Sequence, residues 1–273
     1  MQPLVSVIIP TYNRREMVRE AVDSVLAQTY RNFELTIVDD GSDDGTPEVL
    51  AKYGEALQVC TQPNLGVAAA RNRGVLCATG LYLAFLDSDD LWLPRKLEAQ
   101  MAFMQKNPWA QICQTEETWF RHGVRVNPRM KHRKPSGDIF RPSLELCLVS
   151  PSAVMMTRRL FDAVGGFDET FTACEDYDLW LRIAKFCPVP LLAEPLVIRR
   201  GGHLDQLSRS IWGLDRFRIV ALQKLLRSGL EADKRKWVLE VLGRKVAILS
   251  RGARKRGNEE MAQSFEALLP QAD

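Results

Sequence analysis

Two short acidic runs hold the groups best able to do chemistry: Asp87-Ser88-Asp89-Asp90 and Glu175-Asp176-Tyr177-Asp178. The first ends an apolar stretch, Leu83-Ala84-Phe85-Leu86, whose composition suits a buried strand. Carboxylates delivered together to the rim of a sheet repel one another. A hard divalent cation such as Mg2+ or Mn2+ relieves that repulsion, because it takes oxygen ligands and shares them with substrate phosphates. The run therefore reads as a metal-bridged diphosphate site, with an acidic turn capping the next helix as the plainer alternative. The second run opens a helical pattern carrying Leu179, Trp180, Ile183 and Ala184, and carboxylates there also suit the helix dipole. A third polar cluster, Asp39-Asp40-Gly41-Ser42-Asp43-Asp44-Gly45, is rich in turn formers.

The elements that must carry these groups follow from the hydrophobic pattern. Val5 to Ile9, Phe33 to Val38, Leu57 to Thr61 and Leu81 to Leu86 read as strands. Between them, Met17, Val18, Ala21, Val22, Val25 and Leu26 recur at helical spacing, Thr46 as cap with Pro47 at the first helical position starts a helix that Gly54 can close, and Val67 to Ala78 is Ala-rich. Asn13 with Glu16 has the spacing of a capping box. Strand and helix thus alternate four times, which predicts a Rossmann-like α/β sheet, mainly parallel, with polar loops at the carboxyl ends of its strands. Thr11-Tyr12-Asn13, Asp39-Asp40 and Asp87 to Asp90 are expected to share one crevice.

Beyond Pro94 the pattern predicts a helix with Leu97, Met101 and Met104 on one face, a strand over Ala110 to Cys113 and a hairpin over Thr118 to Val126. Arg121 to Lys134 holds six Lys and Arg and no acid, reading either as a solvated loop or as a lid over an anionic substrate. Ser152 to Thr157 and Leu191 to Arg200 are further strands, and Leu160 to Phe167 holds a short helix ended by glycines. Three helices, over 213–227, 234–250 and 259–269, form a C-terminal appendage.

With 46% hydrophobic and 26% charged residues in 273, the composition is that of an ordinary globular protein with a sizeable core. The net charge of +3 is too small to suggest nucleic acid as partner, but residues 213–273 carry 13 Lys and Arg against 8 Asp and Glu. Six cysteines without a Cys-x-x-Cys pair suggest reduced packing residues. No basic leader precedes Leu4 to Ile9 and no apolar stretch approaches the roughly 20 residues of a spanning helix, so a cytoplasmic location is expected, with peripheral attachment to the inner face of a membrane through the basic tail as an option.

The ordered set Val5-Ser6-Val7-Ile8-Ile9-Pro10-Thr11-Tyr12-Asn13-Arg14, Val38-Asp39-Asp40-Gly41-Ser42, Asn64-Leu65-Gly66, Ala70-Arg71-Asn72, Asp87-Ser88-Asp89-Asp90, Gly165-Gly166-Phe167-Asp168-Glu169 and Glu175-Asp176 resembles the family 2 glycosyltransferases. The resemblance spans roughly residues 4–208 and implies the GT-A fold over 1–212, with 213–273 as a helical basic appendage. It places Pro10, Thr11, Tyr12, Asp39, Asp40, Asn64, Arg71, Asp87 and Ser88 about a nucleotide-sugar. Asp40 is matched to the carboxylate that reads a pyrimidine N–H, with Asp39 as the alternative. It implies Mn2+ or Mg2+ held chiefly by Asp89, with Asp90 and His203 as further ligands, and Asp176 beside Glu175 as the base in an inverting displacement. The implied partners are a nucleoside-diphosphate sugar, uridine first, and a glycan or glycolipid acceptor.

Two other accounts compete. A nucleotidyltransferase on a similar sheet would carry a Gly-rich, Lys-containing phosphate loop, where this chain has Pro10-Thr11-Tyr12-Asn13. A sugar-nucleotide binding module without turnover would not need Asp89, Asp176 and His203 together.

Overall fold

The computed structural model describes residues 2–127, 129–202 and 211–270. The expectations placed on His203 and on Asp205 to Ser208 lie outside the described residues. Strand β1 (Val5–Thr11) is buried along its whole length, as an apolar run covered on both faces must be. It pairs in parallel with β2 (Phe33–Asp39) on one side and β4 (Tyr82–Phe85) on the other, and β3 (Gln58–Thr61) extends the sheet beyond β2. Helices α1 (Arg15–Leu26), α2 (Thr46–Ala51) and α3 (Val67–Cys77) make the crossovers. This half is the predicted alternation.

The other half is mixed. After β5 (Leu91–Trp92) and α4 (Lys96–Lys106) come β6 (Ile112–Arg121), β7 (Val124–Val126), α5 (Phe140–Ser143), β8 (Val154–Thr157), α6 (Arg158–Ala163), α7 (Glu175–Ala184) and β9 (Leu191–Gly201). The sheet order is β3-β2-β1-β4-β8-β6-β9-β5, with β7 paired to β6. Strand β8 runs antiparallel to β4 and β6, β9 runs parallel to β6, and β5 runs antiparallel to β9. The expected short strand at Ala110 to Cys113 and the first arm of the expected hairpin are one continuous strand, β6. Its turn at His122-Gly123 has positive φ at both residues, 49° and 74°.

Strand periodicity sorts the core into two layers. Val5, Val7, Ile9, Leu35, Ile37, Ala84 and Leu86 pack with α1 and α4, while Ile8, Leu83 and Phe85, one residue out of phase, face the opposite side. That second layer includes Phe140, Tyr177 and Trp180 and continues without a break into α8 (Asp215–Arg227), α9 (Ala232–Lys255) and α10 (Glu259–Glu266) through Ile219, Leu222, Val238 and Leu242. Lys245, buried on α9, donates to the Asp215 carboxylate at 2.9 Å and to the Glu145 carbonyl at 3.0 Å. The C-terminal helices are thus knit into the layer that carries α7.

Two local expectations fail for tertiary reasons. The Asn13/Glu16 capping box does not form: Asn13 is left-handed at φ 50°, and its Oδ1 accepts from the Asp43 amide at 2.9 Å. Asp44 Oδ2 instead accepts from the Arg15 amide at 3.0 Å, so α1 is capped from the loop after β2. Thr46 is not the cap of α2 but its first residue. Gly45, at φ 86°, precedes it, and Asp44 Oδ1 accepts from both the Thr46 amide and hydroxyl. One carboxylate therefore ties together the loops that leave β1 and β2.

Gly74 shows how close α3 lies to the sheet, since a Cβ there would come within 2.4 Å of Ile8 Cγ2. Gly74→Ala is expected to lower stability by about 1–3 kcal/mol through overpacking. Gly243→Ala, on α9 where a Cβ meets nothing within 4 Å, is expected to raise it by about 0.5–1 kcal/mol. Urea unfolding of both variants checks the opposite signs.

Candidate active site

The carboxyl ends of β1, β2 and β4 lie side by side, with Thr11 in register with Asp39. The three polar clusters thereby follow neighbouring strand ends along one edge of the sheet. Pro10 and Thr11 are buried, and Thr11 Oγ1 has no hydrogen-bond partner among the described residues. Tyr12, 45% exposed, presents its ring to solvent beside them. Asp39 is buried, and its Oδ1 accepts from the Ser42 amide at 3.0 Å.

Asp40, the sequence's first choice to read a base, is spent on the protein itself. Its Oδ1 accepts from Gln62 Nε2 at 2.7 Å and the Leu65 amide at 3.0 Å, and its Oδ2 accepts from the Gly66 amide at 2.8 Å. It staples the start of α3 to the end of β2. Asp39, the alternative, keeps Oδ2 without a protein partner among the described residues and is the better-placed acceptor. Asn64 is exposed in the stapled loop, and its amide nitrogen stands 3.0 Å from where a Cβ on Gly41 would sit. With φ at +86° as well, only glycine suits position 41.

Carboxylate oxygens of Asp87, Asp89 and Asp90 come within 4.8 Å of one another. Ser88 between them is buried. Asp90 Oδ2 accepts from Ser152 Oγ at 2.6 Å and its Oδ1 accepts from the Arg200 amide at 2.9 Å. Burial, followed by the charges of Asp89 and Asp87, pushes the Asp90 carboxyl well above the usual range. Asp89 faces the Arg14 guanidinium at 2.8 Å. A set of hard oxygen donors this close, one of them resisting ionisation without a cation, fits Mg2+ or Mn2+. Asp89 and Asp90, with Asp87 beside them, are the residues that would hold the ion.

Arg71 joins this cluster to α7. Its guanidinium is 3% exposed and donates to Asp87 Oδ1 and to Glu175 Oε1, each at 2.6 Å, with the Phe167 ring beneath it at 5.1 Å. A surface position does not match that placement. Burial and the neighbouring Asp176 raise the Glu175 carboxyl, and Arg71 opposes them. The adjoining Gly165 to Glu169 segment is pinned by Asn72, which accepts from the Phe167 amide at 3.0 Å and donates to its carbonyl at 2.9 Å. Asp176 itself is half-buried in the first turn of α7. Its Oδ1 accepts from the Tyr177 amide at 2.6 Å, and its Oδ2 accepts from Cys147 Sγ at 3.3 Å.

A model of glycosyl transferase family 2 matches residues 6–165, and a glycosyltransferase of Rickettsia typhi is 33% identical over 208 residues, covering 72% of this chain and 64% of its own length. The chain belongs to glycosyl transferase family 2. The UDP-Glc:alpha-D-GlcNAc-diphosphoundecaprenol beta-1,3-glucosyltransferase WfgD of Escherichia coli is 34% identical over 184 residues, covering 67% of the chain and 70% of that protein. Residues 1–349 of S. aureus TarS in complex with UDP-GlcNAc superpose with a TM-score of 0.76 at 20% identity, covering 97% of this chain and 81% of that one. The mannosyltransferase PcManGT of Pyrobaculum calidifontis, in complex with GDP-Man and Mn2+, gives 0.64 at 19% identity over 98% and 86%. These establish the GT-A fold as a mixed sheet flanked by helices. The chain spans 64% or less of the length of each of several Rickettsia relatives.

Sequence reasoning missed Arg14, Ser152, Arg199 and Arg200 as neighbours of the acidic cluster. Arg199 directs its charge at Glu117, Asp90 and Asp87, and Arg200 Nε donates to the Asp89 carbonyl at 2.5 Å. Only Arg14 stands inside a recognisable motif; Arg199 and Arg200 arrive on β9, and Ser152 from the turn before β8. Lys134, read as part of a basic loop, is instead buried against Glu117 at 2.9 Å, and that carboxyl is held down at about 2, burial being overcome by Lys134 and Arg199.

Replacing Arg71 by Met leaves two carboxylates unpaired and is expected to cost about 3–5 kcal/mol at neutral pH. Glu175 then rises further above its unfolded value. A carboxyl raised in the folded state binds a proton there before the unfolded chain does, so its destabilisation grows as pH climbs through that window. Thermal unfolding of Arg71→Met against the parent at pH 5 and pH 8 should show the larger deficit at pH 8.

Proposed function

We propose that this glycosyltransferase moves a sugar from a nucleoside-diphosphate sugar, a UDP-sugar first, to a hydroxyl of a lipid- or polymer-linked glycan, with inversion and with Mn2+ or Mg2+ at the acidic cluster. The observation that carries this reading is the Arg71 bridge, which ties Asp87 of the acidic cluster to Glu175, the neighbour of Asp176. The activity for which WfgD is named supports a UDP-sugar donor and a diphosphate-lipid acceptor. The Mn2+ in PcManGT supports the choice of ion.

In this reading Asp39 accepts from the base N–H while the Thr11 hydroxyl and Tyr12 ring flank it. Uridine and thymidine offer such an imide donor, and guanosine offers another, so the pocket rather than the carboxylate selects among them. The chemistry a divalent ion supplies when bound is neutralisation of charge on the departing diphosphate. Asp176 takes the acceptor's proton as its oxygen approaches the anomeric carbon. It suits that work better than its neighbour because Glu175 is committed to Arg71. The split between a carboxylate set facing the donor and one carboxylate facing the acceptor gives a single displacement.

The acceptor side also frames location. No helix among the described residues is long and apolar enough to cross a membrane. Exposed cations on α9, including Arg235, Lys236, Arg251 and Lys255, and Trp212 stacked by Arg216 and Arg256 at 4.9 and 5.2 Å, suit peripheral attachment to an anionic inner membrane face.

The test pairs binding with turnover. A melting-shift screen of nucleoside diphosphates with and without Mn2+ should show stabilisation by one base that requires the ion. With the selected donor and a diphosphate-lipid GlcNAc acceptor, Asp176→Asn should lose about 10²- to 10⁴-fold in kcat while keeping nucleotide affinity. Undiminished turnover by Asp176→Asn, or no nucleotide-dependent shift in the parent chain, would overturn the reading.

A further inference from the structure

The geometry points to Cys147 as a positioning residue for the Asp176 carboxylate, a role that rests on reading Asp176 as the base. Cys147 lies between α5 and β8, beside the first turn of α7. Its Sγ stands 3.3 Å from Asp176 Oδ2 and 3.2 Å from the Val149 carbonyl oxygen. The other carboxylate oxygen is held by the Tyr177 amide, and the Tyr177 hydroxyl donates to the Leu144 carbonyl at 2.6 Å, fixing α7 to the segment that delivers Cys147. One oxygen of the base is thus oriented by its own helix and the other by a side chain from outside it.

A thiol differs in kind from the amide and hydroxyl donors used elsewhere in this site. It is a weak donor, so it fixes the carboxylate's rotamer while withdrawing little of its basicity. A serine hydroxyl there would stabilise the anion more and make it a poorer proton acceptor. Burial and the Asp176 charge push the Cys147 thiol well above its ordinary range, so it remains a donor at neutral pH. Two acceptors face one S–H. When Asp176 becomes protonated, the thiol retains its own proton and turns to the Val149 carbonyl, leaving neither group without a partner.

The surrounding charges are defined. Glu175, on the same helix, is paired with Arg71 from α3. Cys174 precedes it with a thiol pushed up to about 12 by burial, then by Asp176. From β9 Arg199 acts on Cys147, and from α8 Arg218 and Asp215 act on Cys174 and Tyr177. Arg218 and Asp215 are paired with each other at 3.0 Å. The Cys147 thiol is the uncharged hydrogen-bond donor that reaches Asp176 Oδ2 from another element among the described residues.

The experiment compares Cys147→Ala and Cys147→Ser with the parent chain. UDP release from UDP-glucose with Mn2+ is followed from pH 5.5 to 9, alongside difference infrared spectra of the S–H stretch. Cys147→Ala should lower kcat about three- to tenfold with the donor KM unchanged and move the acid limb of the pH profile upward. Cys147→Ser should recover kcat at high pH and move that limb below the parent's. In the infrared, the parent's Cys147 band should lie at lower frequency than in Asp176→Ala, a readout that needs no turnover. Unchanged kcat and acid limb in Cys147→Ala while Asp176→Asn is inactive would overturn the thiol's role and leave the base in place. An S–H band indifferent to Asp176→Ala would overturn it by itself. Full activity in Asp176→Asn would instead remove the base.

Discussion

A buried guanidinium between two carboxylates is the constraint on which the rest of this site depends. Arg71 lies under the sheet rim with Asp87 on one side and Glu175 on the other, residues 16 and 104 positions away. A buried cation with one missing partner is costly, so each acid fixes the location of the other through a shared third group. The geometry needs support from below. Phe167 supplies a ring under the guanidinium and is itself held by both hydrogen-bonding ends of Asn72, one residue along α3 from Arg71. The paired glycines before it allow the chain to turn sharply there, at φ 79° and 69°. Residues that in sequence form separate short motifs are, in space, one clamp.

Cations surround the acidic cluster on several sides, and this bears on how it meets an ion. Arg14 faces Asp89, Arg71 faces Asp87, and Arg199 directs its charge at both Asp87 and Asp90. The three carboxylates are already partly compensated. A divalent cation entering alone gains less there than at an isolated acidic triplet, whereas one that arrives with a diphosphate brings anionic oxygens for the same arginines to meet. On the proposed function, this arrangement would favour joint binding of ion and nucleotide over a resident metal.

The parallel half of the fold was legible in the sequence because its signals are local. Strands β1, β2 and β4 rest on largely apolar runs, α1 has a clear helical period, α2 and α3 are marked by Thr46-Pro47 and an Ala-rich segment, and polar residues follow the strand ends. Much less was legible where partners come from afar. Asp44 caps α1 from another loop, so the apparent Asn13/Glu16 box misled. Asp40 and Asp39 are adjacent and chemically identical, and only the donors offered by Gln62, Leu65 and Gly66 reveal that Asp40 is structural. The two-residue strand β5 exists only through its pairing with β9. Lys134 reads as one of a run of basic residues until Glu117, on a neighbouring strand, is seen to bury it.

The C-terminal helices stand outside the 6–165 match, and so does α7, which carries Glu175 and Asp176. What positions α7 comes from both sides of that boundary, from Arg71, Leu144 and Val164 within the match and from the C-terminal helices beyond it. Lys224 on α8 reaches Asp168 at 2.7 Å and Asp178 on α7 at 3.0 Å, while Arg182 pairs with Asp178 and donates to the Gly166 carbonyl. Asp178, read from sequence as one more acid at a helix start, is the group through which α8 and the glycine turn grip the helix. Above it, the apolar faces of α8 and α9 continue the same core layer as Tyr177 and Trp180. Asp39 and the Asp87 to Asp90 cluster are thus set by the central parallel strands, and Glu175 and Asp176 by what packs on α7. Arg71 keeps the two in register.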